Sequence, residues 1–252
     1  VFDTTFHQTM AEDAYLYATP YEWYIKYGVR KYGFHGTSHQ FVSERAAVLL
    51  DNPKAKIIIC HLGNGASLCA VDSGKSVDTS MGLTPLEGIP MGTRSGNIDP
   101  SVLMLIADKE DKSFAEALDD LNKRSGAFGV SGISNDSRDI IKAMNEGNHR
   151  AKLAYDIQIK RIADYIGSYY VYMGGADAIV FTAGIGENSD VVRSMVCEDL
   201  EFLGINIDKE KNNVRAKELT EINTEDSKTK ILIIPTNEEL EIAKQAVELL
   251  QN

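Results

Sequence analysis

No stretch of the 252 residues approaches the ~20 uninterrupted apolar residues that a membrane span requires, and the first residues lack the pattern of a secretory signal. Cysteine is scarce. Cys60, Cys69 and Cys197 are too few for a disulfide framework, and their small or apolar neighbours predict buried, reduced thiols, as expected of a cytoplasmic protein. Positive charge is in deficit too: the formal net charge of −11 excludes general affinity for nucleic acid or an anionic membrane. A phosphate site survives that exclusion, because it needs only a few donors placed locally. Two common nucleotide signatures, GxxxxGK[ST] and GxGxxG, are both missing. There is no short-period repeat and no low-complexity linker.

What remains is an ordinary globular composition, 43% apolar and 25% charged, long enough for one domain and part of another. The opening Val1-Phe2-Asp3-Thr4-Thr5-Phe6-His7 has strand-like apolar residues and no initiator Met, so the expectation is a chain that opens inside a strand whose preceding part is lost. Tyr15 to Tyr27 is aromatic-rich and ends in Gly28, a helix or irregular segment. Phe41, Val42, Arg45, Ala46, Leu49 and Leu50 follow helical spacing until Asn52-Pro53. Lys56–Cys60 is a short β-branched run, Ala66–Val71 a second strand, and Asp72-Ser73-Gly74-Lys75 a hairpin turn into a third. After the glycine-rich Met81–Asn97 stretch, helices are expected from Asp99-Pro100 to Ala107 and over 113–123, 137–145, 151–173, 190–202 and 237–250. Strands are expected at 178–181 and 231–234. Hairpin-linked strands followed by alternating helices and strands predict an α/β fold with a mixed sheet flanked by helices.

Several segments carry chemistry. His61-Leu62-Gly63-Asn64-Gly65 lies between two strands, and its glycines would let backbone N–H groups approach a phosphate. Asn-Gly is equally the usual chemistry of a plain hairpin. Thr182-Ala183-Gly184-Ile185-Gly186-Glu187-Asn188-Ser189 follows a buried strand and leads to a helix, either a ligand crevice or a tight connection with Ser189 as N-cap. Arg94, between glycines in Met91–Asn97, could present its planar fork to phosphate oxygens or simply face solvent. In Gly33–His39, His35 sits in the turn and is free to meet a ligand, whereas His39 starts a helix and reads as structural. Asp3 in an apolar strand context would be costly unless paired or bound to a cation. Thr236 and Glu239 match a capping box, leaving Glu238 as the better metal ligand. Asp136-Ser137-Arg138 opens a helix and is either an N-cap or a nucleotide contact.

The strings VFDTTFHQTM, YGFHGTSH, HLGNGASL, MGTRSGNIDP, FTAGIGENS and PTNEE, in that order, resemble the acetate kinase family over nearly the whole chain. The resemblance implies the actin-like ATPase (ribonuclease H-like) fold of the superfamily of acetate and sugar kinases, chaperone ATPases and actin. It implies a reversible reaction, ATP plus acetate giving ADP plus acetyl phosphate, with magnesium or manganese. Asp3, His35 and Arg94 would be catalytic, and Glu238 metal-linked, with a one-residue ambiguity toward Glu239. His61, Leu62, Gly63, Asn64 and Gly65 would form a phosphate loop. Asp136, Ser137 and Arg138, with Gly184, Ile185, Gly186, Glu187 and Asn188, would contact the nucleotide. It further implies a homodimer, and ~150 residues before VFDTTFH that are absent here. On that expectation residues 1–10 are a strand remnant of an N-terminal domain, 11–235 the nucleotide-binding domain, and 236–252 a helix that packs on the missing part. The chain alone would then have little or no activity. A propionate or butyrate kinase and a nucleotide-binding module without catalysis are the alternatives.

Overall fold

The structure, a computed structural model, describes residues 2–214, 216 and 218–251. Val1 and Asn252, the outer ends of the expected segments 1–10 and 236–252, lie outside the described residues. Lys56–Leu62 (β1) is buried at every position after Lys56, as a strand covered on both faces must be. The turn at 63–65 leads into Ala66–Asp72 (β2), and Ser73-Gly74, both at positive φ, into Lys75–Thr79 (β3). Ala178–Thr182 (β4), Thr220–Glu221 (β5) and Lys230–Ile233 (β6) complete a sheet of order β3-β2-β1-β4-β6-β5. β1, β4 and β6 are parallel; the other pairs are antiparallel.

Three helices precede the sheet: α1 (Glu12–Tyr15), α2 (Tyr21–Tyr27) and α3 (Gly36–Leu49). Between β3 and β4 come α4 (Ser101–Glu110), α5 (Phe114–Lys123), α6 (Gly126–Ser131), α7 (Ser137–Asn145) and α8 (His149–Met173). After β4 follow α9 (Ala183–Asn188), α10 (Asp190–Glu198) and α11 (Lys209–Asn212), and after β6 comes α12 (Glu238–Gln251). The period-two alternation of β1 divides the core. Ile58, Cys60 and Leu62 join Ile162, Ile166, Tyr169 and Val196 under α8 and α10, while Ile57 and Ile59 join Phe41, Val42 and Ala46 under α3. Cys60, Cys69 and Cys197 are buried and free, and burial pushes all three thiols up, the last two to about 12. Among the described residues no helix is long and apolar enough to cross a membrane.

The structure corrects four local expectations. Phe2 to Thr9 forms no strand; Thr5–Thr9 is a 3-10 helix opened by Thr5 N–H to Phe2 O at 3.0 Å. A strand needs a backbone ladder, and this segment meets β3 through side chains instead, the Thr9 hydroxyl donating to Ser76 O at 2.7 Å. The apolar spacing serves instead to sink His7, whose Nδ1 meets Ser76 Oγ at 2.8 Å. Asp3 consequently lies exposed rather than inside a sheet. Second, the glycine-bearing segment after β4 is helical, not a turn. Third, the helix from Asp190 ends at Glu198, and a 3-10 turn at Glu201–Leu203 follows. Fourth, the cap of α12 is Asn237, whose Oδ1 accepts from Leu240 N–H at 3.0 Å, because Thr236 spends its hydroxyl on Ser38.

Candidate active site

In open α/β sheets ligands bind outside the C-terminal ends of parallel strands. Here β1, β4 and β6 end together. His61 pairs in register with Thr182, and the Thr182 hydroxyl donates to Ile234 O at 2.6 Å, beyond the end of β6. The turn at 63–65, the start of α9 and the Thr236–Glu238 segment therefore share one edge. A methyl at Gly63 would stand 3.8 Å from Ala183 Cβ, so the two glycine-bearing segments abut.

Around the first turn, polar side chains from distant parts of the chain converge. A methyl at Gly65 would lie 3.3 Å from Arg94 Nη1 and 3.5 Å from His35 Nε2, so both groups look onto this backbone. Asn64 packs its side chain against Gly92, where a Cβ would collide with the amide, and Gly92 N–H donates to Asn64 O at 3.1 Å. Thus the loop carrying Arg94 is docked on the turn. Arg94 donates only to Met91 Sδ, at 3.6 Å, and among the described residues no carboxylate pairs with it. A half-buried guanidinium beside accessible backbone, with no carboxylate paired to it among the described residues, has the chemistry to accept an anion.

His35 occupies the left-handed region (φ 55°, ψ 25°), a conformation worth about 1–3 kcal/mol of strain in a residue with a Cβ. Asp3 holds it there. His35 N–H donates to Asp3 Oδ2 at 2.7 Å and Gly36 N–H to Asp3 O at 2.8 Å, an approach so close that any side chain at Gly36 would strike the Asp3 carbonyl. His35 stacks on His61 with ring centroids 4.1 Å apart. Burial, with Arg94 nearby, lowers the His35 pKa against the opposing pull of Asp3. Burial takes His61 down to about 3 and His7 to about 4, and His39 falls well below its ordinary value. These imidazoles are neutral at pH 7.

Glu238 is half-buried, and its pKa is raised first by desolvation and then by the charge of Asp3, so the two carboxylates repel one another electrostatically. That uncompensated pair fits a divalent cation chemically, although among the described residues no group of three or more acidic, histidine or cysteine side chains gathers as a metal cage. Glu187 is differently placed: its Oε1 accepts from Ala183 N–H (2.8 Å) and Thr236 N–H (3.1 Å), holding Ala183 at φ 64°. Gly184 and Asn188 are exposed, bonded through Asn188 Nδ2 to Gly184 O at 2.9 Å, while Ile185, Gly186 and Leu62 pack inward. Asp136 caps α7 and pairs with Arg138, which pulls its carboxyl down to about 2. That segment bonds toward α8, through Tyr155 to Ser137 O, and none of its hydrogen bonds reaches the glycine segments.

Sequence reasoning missed the hydroxyls that tie the site together. Ser38 Oγ meets both His61 Nδ1 and Thr236 Oγ1 at 2.8 Å, and Ser67 Oγ meets His35 Nδ1 at 2.9 Å and His39 Nε2 at 2.8 Å. It also missed Arg193, fully buried, which donates to Gly186 O, Glu187 O and Asn212. The one available signal was strand parity: His61 pairs with Ser67, so both point to the α3 side.

A mixed sheet with parallel strands ending at a glycine turn, flanked by helices, is the actin-like ATPase fold of the superfamily of acetate and sugar kinases, chaperone ATPases and actin. Within it the chain matches the acetokinase family over residues 1–244 and belongs to that family. An acetate kinase of Chlorante-Aster yellows phytoplasma is 62% identical over the whole chain, which spans 61% of that protein; one of Acholeplasma laidlawii is 60% identical over 99% of the chain and 63% of its own length. The crystal structure of Porphyromonas gingivalis acetate kinase superposes with a TM-score of 0.95 at 46% identity, covering 99% of this chain and 63% of that one. A propionate kinase from Francisella tularensis gives 0.92 at 50% identity, over 97% and 62%. The chain thus spans about three-fifths of the length of these relatives.

Proposed function

We propose that the protein carrying this chain is an acetate kinase, converting ATP and acetate reversibly to ADP and acetyl phosphate. The observation that carries the reading is the convergence of Arg94 Nη1 and His35 Nε2 on the backbone of Gly65, with no carboxylate paired to the arginine among the described residues. A carboxylate oxygen of acetate attacks the γ-phosphorus as the bond to the β,γ-bridging oxygen breaks on the opposite side. Acetate is already ionised at neutral pH, so no general base is required. The loose transition state spreads charge over the equatorial oxygens, and donors fixed in place supply most of the catalysis. Arg94 and His35 are those donors, Asp3 organises His35, and the turn at 61–65 cradles the phosphates. Asp3 and Glu238 would hold magnesium or manganese, which when bound neutralises phosphate charge. Asp136–Arg138 and Gly184–Asn188 contact the nucleotide in this reading.

The exposed aromatic residues Tyr21, Trp23 and Tyr27 of α2 fit the contact of a homodimer. α12, within the 236–252 segment, fits a helix that meets an N-terminal domain, since Leu240, Val247 and Leu250 are exposed while Gln245 turns to Gln40 of α3. The similarity to a propionate kinase makes the acyl length the open choice of substrate. The test is acetyl phosphate formation from ATP, trapped with hydroxylamine, with acetate, propionate and butyrate compared by kcat/KM. Acetate is expected to lead; a higher value for a longer acid would reassign the substrate, and hydrolysis without acyl phosphate would sink the kinase reading.

A further inference from the structure

Ser67 Oγ touches two imidazoles, His35 Nδ1 at 2.9 Å and His39 Nε2 at 2.8 Å, and makes no other side-chain hydrogen bond among the described residues. Its hydroxyl has one proton and can donate to only one of them. His39 is fully buried, and its Nδ1 has no hydrogen-bond partner among the described residues. A neutral imidazole carries a single N–H, so three proton arrangements are open. With the His39 proton on Nδ1, a buried donor goes unmet, Ser67 donates to His39, and His35 must donate from Nδ1. With both imidazoles donating to Ser67, the buried serine proton has no acceptor, and the His39 Nδ1 lone pair is unmet as well. With the His39 proton on Nε2, that N–H donates to Ser67, Ser67 donates to His35 Nδ1, and only one acceptor lone pair is left bare. Orphaned buried donors are much rarer than under-satisfied acceptors, which selects the third arrangement.

We propose that His39 and Ser67 are positioning residues that fix His35 as its Nε2–H tautomer, so that it presents a donor rather than a lone pair to the phosphoryl group beside Gly65. The inference rests on the phosphoryl-transfer reading for its purpose, but not for its geometry. With Ser67 donating to His35 Nδ1, that nitrogen holds a lone pair and the ring proton lies on Nε2, the side that faces Gly65. The same logic that orients a metal-bound histidine here runs through one serine to a buried histidine behind it.

Nitrogen NMR of the isotope-labelled chain reads the tautomers directly. The expected result is a proton on Nε2 and none on Nδ1 for both His35 and His39; a proton on His35 Nδ1 would overturn the proposal. For turnover, Ser67→Ala is expected to lower kcat roughly 10–100-fold, the range typical of lost outer-shell partners, with KM for ATP nearly unmoved. Ser67→Thr, which keeps the hydroxyl, should recover most of it, whereas a purely structural loss would not follow the hydroxyl. Unchanged kcat in a folded Ser67→Ala protein would remove the catalytic purpose. If no phosphoryl transfer to any carboxylate is found, the functional reading fails while the NMR result still decides the tautomer.

Discussion

The turn at 63–65 and the helix α9 are both rich in glycine and both stand at the ends of parallel strands, yet they use their glycines in opposite ways. Gly65 leaves its backbone open toward Arg94 and His35, and among the described residues no carboxylate pairs with that arginine. In α9 the polar groups are already spent: Glu187 binds two backbone N–H groups, and the buried Arg193 clamps the carbonyls of Gly186 and Glu187. The first is a surface with unused donors; the second is a connection made rigid from behind. Glycine content alone does not tell an open donor surface from a segment braced on its inner side, which still exposes Gly184 and Asn188. The state of the neighbouring arginine does.

That contrast can be broken by substitution. Arg193→Ala is expected to cost about 3–5 kcal/mol of folding stability, because it strips partners from Asn212 and two buried carbonyls at once. Urea denaturation checks this, and a loss below 1 kcal/mol would mean that α9 is not braced. Arg94→Ala should do the reverse: about 10²–10³-fold lower kcat, KM for ATP changed far less, and an unchanged urea midpoint. An unaltered kcat would end the proposal that it donates hydrogen bonds to the transferring phosphoryl group.

Acid should act on the histidine side. His7 and His61, held near 4 and 3 in the folded chain against about 6.5 unfolded, contribute stability that is fully present above about pH 6.5. As pH falls below that value the unfolded chain takes up protons the fold resists, costing up to ~1.4 kcal/mol per pH unit for each histidine. Urea midpoints measured from pH 7 to 5 should therefore fall, and less steeply in a His7→Gln variant. The smallest effect belongs to Gly184, which has open space where a Cβ would go. Gly184→Ala should raise stability by about 0.5–1 kcal/mol, read as a higher urea midpoint.

Most of the sheet was legible, because β1, β2, β4 and β6 are β-branched or apolar runs bounded by turns, and the hairpin turns carry glycine. The misses have physical causes. β5 has two residues and is made by its pairing to β6 alone. α6, with sequence GAFGVS, has poor intrinsic helix propensity; it forms where Ala127 and Phe128 N–H donate to the carbonyls of Met91 and Gly92. Asp3, His35, Arg94 and the 61–65 turn were visible as motifs, and the structure places them side by side. The hydroxyls were not visible. Ser38 and Thr236 meet although 198 positions separate them, and a serine in a helix or strand carries no local mark of what it will touch.

The segment that presents Arg94 has little regular structure, yet it is stitched at many points: Gly88 N–H to Asn97 Oδ1, Asn97 N–H to Gly88 O, Met91 N–H to Arg94 O, and Ser125 N–H to Thr93 O. Gly96, at φ 69°, lets the strands of this loop close to within 2.5 Å of where its Cβ would be. Such a loop has lost its conformational freedom during folding, before any anion arrives. On the proposed reading, capturing a phosphate would then freeze little more than the arginine side chain, about 0.5–1.5 kcal/mol of ordering for a rotamer-rich group instead of the larger sum for a mobile loop. Irregular backbone here is the opposite of slack: the entropy of holding the arginine ready is charged to the fold and not to binding.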